Sequence, residues 1–360
     1  MTVDQHFPCD QCGSDLRFDP ERQQLTCDHC GNSHGLARST AALKELDFRS
    51  ALDSQLPQAE VEDVRVSKCP NCGAQVEFDA NLHAKECPFC ATPVITDTGT
   101  HRQIKPKGLL PFALDEKTAR DAMTNWLGGL WFAPNGLQGY ARKGRKMSGI
   151  YVPYWTFDAD TKSAYSGERG THYYETKTVM RDGKREQIRV RKTRWRRVTG
   201  RVARWFDDIL VLASTSLPKR FTDALQPWDL AELRPYSAEF LAGFRAEGYS
   251  VELINGYEEA RAHMHQVIQR DVRFDIGGDA QRIHDVDTDV RDVTFKHILL
   301  PVWLAAYKYR GKTYRFVVNG RTGRVQGERP YSVWKIAITV VLALIVAAAV
   351  GFFLAITQGA

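Results

Sequence analysis

Past Cys90 this 360-residue chain has no cysteine, and its first residues lack the apolar core and small-residue cleavage site of a secretory signal. The first absence excludes a disulfide framework spread through the molecule, and the second gives no reason to place its bulk outside the cell. Nucleotide and hydrolase signatures are missing too. Gly139 and Gly144 begin something like a phosphate loop, but Arg145-Lys146 follows where Lys and then Ser or Thr would hold phosphate and Mg2+. His263 and His265 lack the HExxH arrangement, and no GxSxG occurs. An enzyme is therefore the least supported class. A formal net charge of +6 is modest for this length, so basic residues matter only where they concentrate.

What is present begins with eight cysteines in four CxxC pairs. Cys9, Cys12, Cys27 and Cys30 form one set; Cys69, Cys72, Cys87 and Cys90 repeat it at an offset of sixty residues. Gly13 matches Gly73, Leu16 matches Val76, and Phe18-Asp19 matches Phe78-Asp79, which marks a duplicated module. One CxxC turn offers two thiolates to an ion, and a hairpin brings the second pair opposite, as in a zinc ribbon. Four thiolates close a tetrahedral site and leave no position for water, so each site reads as structural, with two Zn2+ per chain. A unit this small needs the metal to fold. Iron in a rubredoxin-like site is the alternative left open. With the thiolates sufficient, His29, His34 and His83 read as surface residues. Ala41, Ala42, Leu43, Leu46, Leu52 and Leu56 suggest one or two short helices between the modules.

From Asp115, the spacing of Ala119, Ala122, Met123, Trp126, Leu127, Leu130 and Trp131 predicts a helix ended by Pro134, Asn135 and Gly136; a membrane-surface helix would show the same stripe, but packing on a neighbouring domain is the plainer account. Strand-forming runs follow: Ile150 to Phe157, Tyr173 to Met180, Asp182-Gly183 as a hairpin turn, and Glu186 to Trp195. A second set covers Ile298 to Tyr309 and Thr313 to Val318, with Gly311 between, then Asn319-Gly320 and Thr322-Gly323. Tyr151-Val-Pro-Tyr-Trp155 and Leu299-Leu-Pro-Val-Trp303 share a pattern, which suggests two related β-units. Ser237 to Gly248 and Gly256 to Val272 read as helices. The returning arm of the first hairpin carries Arg189, Arg191, Lys192, Arg194, Arg196, Arg197, Arg201 and Arg204, with Trp195 and Trp205 interleaved. Three readings stand: a solvated strand, a surface for anionic lipid or an acidic protein, or a nucleic-acid contact.

Ile336 to Ile356 contains no charge and is long enough to cross a hydrocarbon core of about 30 Å. Tyr331, Trp334 and Lys335 would anchor its start at the interface, and Arg321, Arg324, Arg329 and Lys335 precede it while Thr357 to Ala360 add no basic side chain. That asymmetry places the N-terminal side in the cytoplasm, and so few residues beyond the span describe a tail anchor at the inner membrane.

The expected architecture is multi-domain α+β: zinc ribbons at 1–34 and 67–97, a helical spacer at 35–66, and a helical segment at 104–149. A largely antiparallel α+β domain with two β-units follows at 150–330, then a transmembrane anchor at 331–357 and a tail at 358–360. The doubled ribbon, Leu46-Asp47-Phe48, Tyr151 to Phe157, Thr193-Arg194-Trp195, Phe206-Asp207-Asp208, Ser216-Leu217-Pro218 and Leu299 to Trp303 together resemble bacterial zinc-ribbon membrane proteins labelled primosomal protein N′-like or TFIIB-type zinc-ribbon proteins. The resemblance spans nearly the whole chain but specifies no chemistry, because the ATP-binding motifs of a helicase are missing. It implies a scaffold or adaptor beside band-7 (SPFH) or phage-shock-type proteins in envelope stress or membrane-complex assembly. A membrane-tethered nucleic-acid-binding protein is the rival expectation.

Overall fold

A computed structural model describes residues 7–36, 43–71, 73–77, 84–87, 89, 93–95, 100–134, 147–181, 184–309 and 312–358. Gly139 and Gly144 with Arg145-Lys146, the Asp182-Gly183 turn, Gly311, Ala41-Ala42 and Asn135-Gly136 lie outside them. The elements used below are β1 (Leu16–Asp19), β2 (Gln24–Cys27), β3 (Ser33–Gly35), α1 (Glu116–Gly128), β4 (Ser148–Arg181), β5 (Lys184–Leu212) and β6 (Arg245–Gly248). They continue with α2 (Leu253–Ile276), β7 (Ala280–Tyr309), β8 (Lys312–Asn319), β9 (Val325–Gly327) and α3 (Val333–Gln358).

The architecture is mixed α+β, organised on a large sheet. Its framework is an antiparallel meander in which β4 lies between β5 and β7, with β8 and β9 following beyond β7. These strands are far longer than the pattern of apolar runs suggests: 34 residues in β4, 29 in β5 and 30 in β7. Between Phe157 and Tyr173 the chain is polar and small, with no obvious strand signal. It is extended there because α2 lies across it. Ala159, Thr161, Ser163 and Tyr165, at alternate positions, are buried beneath the helix stripe Ala260, Met264, Ile268, Val272 and Ile276. Small side chains allow close approach, and the buried hydroxyls are satisfied: Thr161 Oγ1 donates to the Arg204 carbonyl (2.8 Å) and Ser163 shares a hydrogen with Thr288 (2.8 Å). Gly277 and Gly278, at φ +63° and +76°, end the helix and turn the chain into β7.

Gly256 lies where α2 crosses Trp155. A Cβ there would stand 2.6 Å from Trp155 Cδ1, and that indole is fully buried with its N–H on the Val251 carbonyl at 2.9 Å. Alanine would favour the helix by about 1 kcal/mol, but overpacking costs about 1–3 kcal/mol. Gly256→Ala is therefore expected to lower the unfolding midpoint of the full chain in detergent, as read by thermal melting.

The two proline motifs lie side by side. Tyr151 faces Pro301 and Pro153 faces Leu299 across β4 and β7, so the repeat is expressed as a local twofold relation. Proline is rare in central strands because it lacks a ladder donor. Here neither loses a bond. On the far edge of β4, pairing with β6 stops at Tyr151 and pairing with β5 begins at Tyr154. On the far edge of β7, pairing with Gly108–Leu109 stops at Leu299 and pairing with β8 begins at Val302. Each proline fills the gap, its carbonyl accepting from Ala213 (3.0 Å) or Gly320 (2.9 Å).

One expected helix differs, and the spacer is only partly helical. Ser237 to Gly248 is not a helix: a 3-10 turn at Ala238–Leu241 is broken at Gly243 (φ +84°), and Arg245–Gly248 becomes β6, paired on one side with β4 and on the other with Gln75–Glu77. The spacer keeps one short helix, Phe48–Leu52, capped by Asp47, but Val61–Lys68 is a strand that pairs with Gln75–Glu77 and Thr100–Ile104. One partner is local, across the Cys69 knuckle, but the other, Thr100–Ile104, lies over thirty residues on, and only that pairing holds the full strand extended. The helix expected from Asp115 is α1, with the Asp115 carboxylate accepting from Thr118 N–H (2.7 Å) and Ala119, Met123 and Leu127 buried, but it ends at Gly128, so Leu130 and Trp131 of the expected stripe fall beyond it.

Candidate metal centre and basic hairpin

Each cysteine pair of the first unit sits on a tight backbone knuckle. Gly13 and Gly31, at φ +73° and +77°, follow the second cysteine of their pairs. Their N–H groups donate to the carbonyls of Cys9 (2.8 Å) and Cys27 (2.9 Å), while Cys9 and Cys27 donate to Ser14 and Asn32 (both 2.8 Å). A side chain would be strained at either glycine. The β1–β2 hairpin, in register from Leu16 opposite Cys27 to Asp19 opposite Gln24, brings the knuckles face to face. All four Sγ atoms lie within 4.8 Å of one another, with Cys9 to Cys30 and Cys12 to Cys27 both at 3.5 Å. A tetrahedron with Zn–S bonds of about 2.3 Å has sulfurs about 3.8 Å apart, so this donor set fits one ion.

Electrostatics at the cluster favour a dication. The Gln11 amide, ahead of burial and the other donors, draws the Cys9 thiol down to about 6, and the Ser14 amide lowers Cys12. Cys30 goes the other way: the Asn32 amide lowers it, but burial and three sulfur neighbours push it to about 12. The last proton of a four-thiol cluster is the hardest to remove, and a bound cation supplies the compensating charge. His29 is exposed, and His34 turns its Nε2 to Asn32 (3.0 Å) and Asp10 (3.5 Å), away from any ligand role.

In the second unit Cys69 repeats the knuckle: Gly73, at φ +76°, donates to Cys69 (2.9 Å), which donates to Ala74 (2.8 Å). Cys69 and Cys87 are both buried in one apolar cluster with Phe89. Cys72, Cys90, Phe78-Asp79 and His83 lie outside the described residues, so the four-sulfur geometry is seen for the first unit. That unit is docked, not free. Phe18 meets the rings of Phe240 (5.3 Å) and Phe244 (6.3 Å), its N–H reaches the Ala242 carbonyl (3.0 Å), and Gln23 Nε2 donates to the Phe112 carbonyl (2.7 Å).

The eight basic residues of the returning arm lie on β5 and divide between two faces. Arg189, Arg191, Arg197 and Arg201 stand opposite Thr176, Tyr174, Glu168 and Ala164; Lys192, Arg194, Arg196 and Arg204 stand opposite Tyr173, Thr171, Arg169 and Thr161 on the other face. The second group is partly neutralised. Arg204 makes a two-pronged ion pair with Asp271 of α2 (2.6 and 2.8 Å), and Lys192 pairs with Glu175, which lowers the Glu175 carboxyl. Arg189 lies over the Tyr174 ring (5.2 Å) and Arg194 over Tyr173 (5.4 Å). Among the described residues, Arg189, Arg191, Arg197 and Arg201 have no carboxylate partner. Beyond Gly170, which faces Ala280 at the start of β7, β4 and β5 pair only with each other among the described residues. Thr171–Arg181 and Lys184–Arg194 thus form a two-stranded ribbon roughly 35 Å long at about 3.3 Å per residue.

A buried ion cluster escaped the sequence pattern. Lys296, 6% exposed on β7, reaches Glu45 (2.8 Å), Asp208 (2.8 Å) and Asp158 (3.5 Å). Burial, then hydrogen bonding to the Glu45 carboxyl, raises Asp158 to about 7. Glu45, despite partial burial, is drawn down to about 2 by Asp158 and Lys296. Burial works against charge on Lys296, but Asp208 and Glu45 hold it protonated. The β4 register shifts between Phe157 and Ala159, and Asp208 has φ +52°, so strand irregularities aim these groups inward. No local motif announces them: the members of the cluster lie from 50 to 251 positions apart. Glu247 of β6 is likewise buried, with both carboxylate oxygens accepting from Ser214 (2.7 Å) and Ser216 (3.0 Å).

α3 is continuous and apolar, and its Val333–Phe352 stretch of 20 residues is long enough to span a membrane. It encloses the start of the uncharged run expected at 336–356, and among the described residues it is the one helix of that kind. No family model matches the chain. No solved structure matches it either. Among curated proteins, it is similar to the uncharacterized protein YdjG of Bacillus subtilis (strain 168), with 25% identity over 346 residues and 92% of each chain covered.

Proposed function

We propose that this protein is a membrane-anchored, cytoplasm-facing adaptor whose cysteine units are zinc ribbons and whose basic ribbon recruits a protein partner to the bilayer. The second set, Cys69, Cys72, Cys87 and Cys90, holds the second Zn2+ in this reading. The observation that carries it is the pairing of a closed four-sulfur donor set, docked on an aromatic core, with a projecting hairpin whose outer arginines have no carboxylate partner among the described residues. A four-thiolate site shapes a surface and leaves no open position for a substrate. Exposed arginines beside tyrosine are what an acidic partner surface needs. The excess of Arg321, Arg324, Arg329 and Lys335 before α3 supports the cytoplasmic orientation and the inner membrane. Partners of the band-7 (SPFH) or phage-shock type agree with the family resemblance noted above.

Crosslinked native membranes provide the test. The full chain should retain a defined set of proteins, and Arg191→Glu with Arg197→Glu should lose them while the protein stays in the membrane and keeps its metal. Retention of the same set by the charge-reversed chain sinks the reading. The Arg189 to Arg201 face with Tyr174 and Trp195 also favours a second reading, a membrane-tethered nucleic-acid binder. It requires tight binding of DNA or RNA by the detergent-solubilised chain with a steep salt slope; no binding at low salt removes it.

A further inference from the structure

The C-terminal end of α1 carries an anomaly for a helix packed on a domain. Its inner face is fixed to the body, with Ala119, Met123 and Leu127 buried and Trp126 edge-on to Phe316 at 5.5 Å. Yet the residues just after it, Trp131 and Phe132, are 75% and 38% exposed. An indole left so open to water is unusual away from an interface.

Its neighbours explain it. Ser332 N–H donates to the Phe132 carbonyl (2.8 Å), Lys335 Nζ donates to the Ala133 carbonyl (2.9 Å), and the same ammonium lies 6.0 Å from the centre of the Trp131 ring. The segment 131–133 is thus tied to the first turn of α3. That turn adds Tyr331, 57% exposed, and Trp334, 81% exposed. The 20-residue stretch Val333–Phe352, whose one charge is Lys335 near its start, rises about 30 Å, matching the hydrocarbon thickness, so the Val333 end sits at one interface when the helix spans. Whatever is bonded to that end shares its depth. Interfaces favour amphipathic aromatics, and Lys335 keeps its charge at headgroup level while its stem follows the helix.

We propose that Trp131 and Phe132 form a second point of membrane contact, seated in the lipid headgroup region beside the start of α3, and that the partner of this patch is the bilayer itself. A single helix leaves the attached body free to swing about its linker. A second contact on a different element, held by α1 to β8, fixes the tilt of the sheet against the membrane and the direction in which the basic ribbon projects. This inference rests on α3 spanning the membrane.

The experiment uses the full chain in vesicles of phosphatidylcholine brominated on the acyl chains near the interface, with tryptophan fluorescence as the readout. Because both side chains are exposed, Trp131→Phe and Trp334→Phe leave the fold intact. The wild type should be quenched, each single variant should keep about half of the quenchable signal, and the double variant should lose it. If Trp334→Phe alone removes all quenching seen in the wild type, Trp131 is outside the bilayer and the second contact is overturned while the anchor stands. If the wild type itself is not quenched, the anchor and the contact fall together.

Discussion

Replacing Cys9 and Cys12 by serine is expected to release one bound divalent ion per chain and to unfold residues 7–36, while the membrane association survives. The unit has little else to hold it. Its own interior is Leu16, Phe18 and Leu25 with Cys9 and Cys27, and its strands are three or four residues long. Metal binding to such sites contributes about 10–16 kcal/mol in isolated units near neutral pH, well above what three apolar side chains supply at about 2 kcal/mol each. Loss would spread to the body through Phe18, because Phe240 and Phe244 pack on it and Phe244 stacks on Phe112 at 4.3 Å. Metal analysis should fall by one equivalent, and limited proteolysis should open sites before residue 36. Unchanged stoichiometry and unchanged protection would show that the four sulfurs form no metal site.

The second large effect concerns Lys296. Lys296→Met leaves Asp158, Asp208 and Glu45 without their shared cation, and Asp158 has a side chain only 1% exposed. Removing one partner of a buried ion pair costs about 3–5 kcal/mol; the partial exposure of Glu45 and Asp208 places this case near 3 kcal/mol. The pH dependence follows from the shifts. Asp158 is raised in the fold, so the folded chain holds a proton that the unfolded chain releases; its contribution is fully present below about 4 and is lost as pH rises through 7. Glu45 is lowered, so its contribution is present above its ordinary range and is lost as pH falls toward 2. Without Lys296 nothing offsets an ionised Asp158, and the deficit of the variant should be larger at pH 8 than at pH 5. Denaturant titrations at the two pH values check this. An equal deficit at both would mean that Asp158 does not take up the proton.

The residues that sequence alone placed correctly are those whose cause is local. A CxxC turn followed by glycine needs only a handful of atoms to become a knuckle, and the fourteen-residue gap closes by a short hairpin, so the first four-sulfur cluster was readable in full. Asp115 ahead of an apolar stripe specified α1 for the same reason, and an uncharged run of twenty-odd residues can only be a long apolar helix. The basic arm was legible as a strand, but not the division of its eight cations between two faces, because that depends on the partner strand and on which side α2 covers. Only the tertiary structure drew β4 through the polar stretch after Phe157, since extension there is imposed by a helix a hundred residues away. The same holds for Ser237 to Gly248, where pairing with β4 and with Gln75–Glu77 overrode helical periodicity. It holds also for Lys296 and its carboxylates, which no spacing rule can gather. Contacts within a turn are written in consecutive residues; those between elements exist only once the chain has chosen which surfaces to bury.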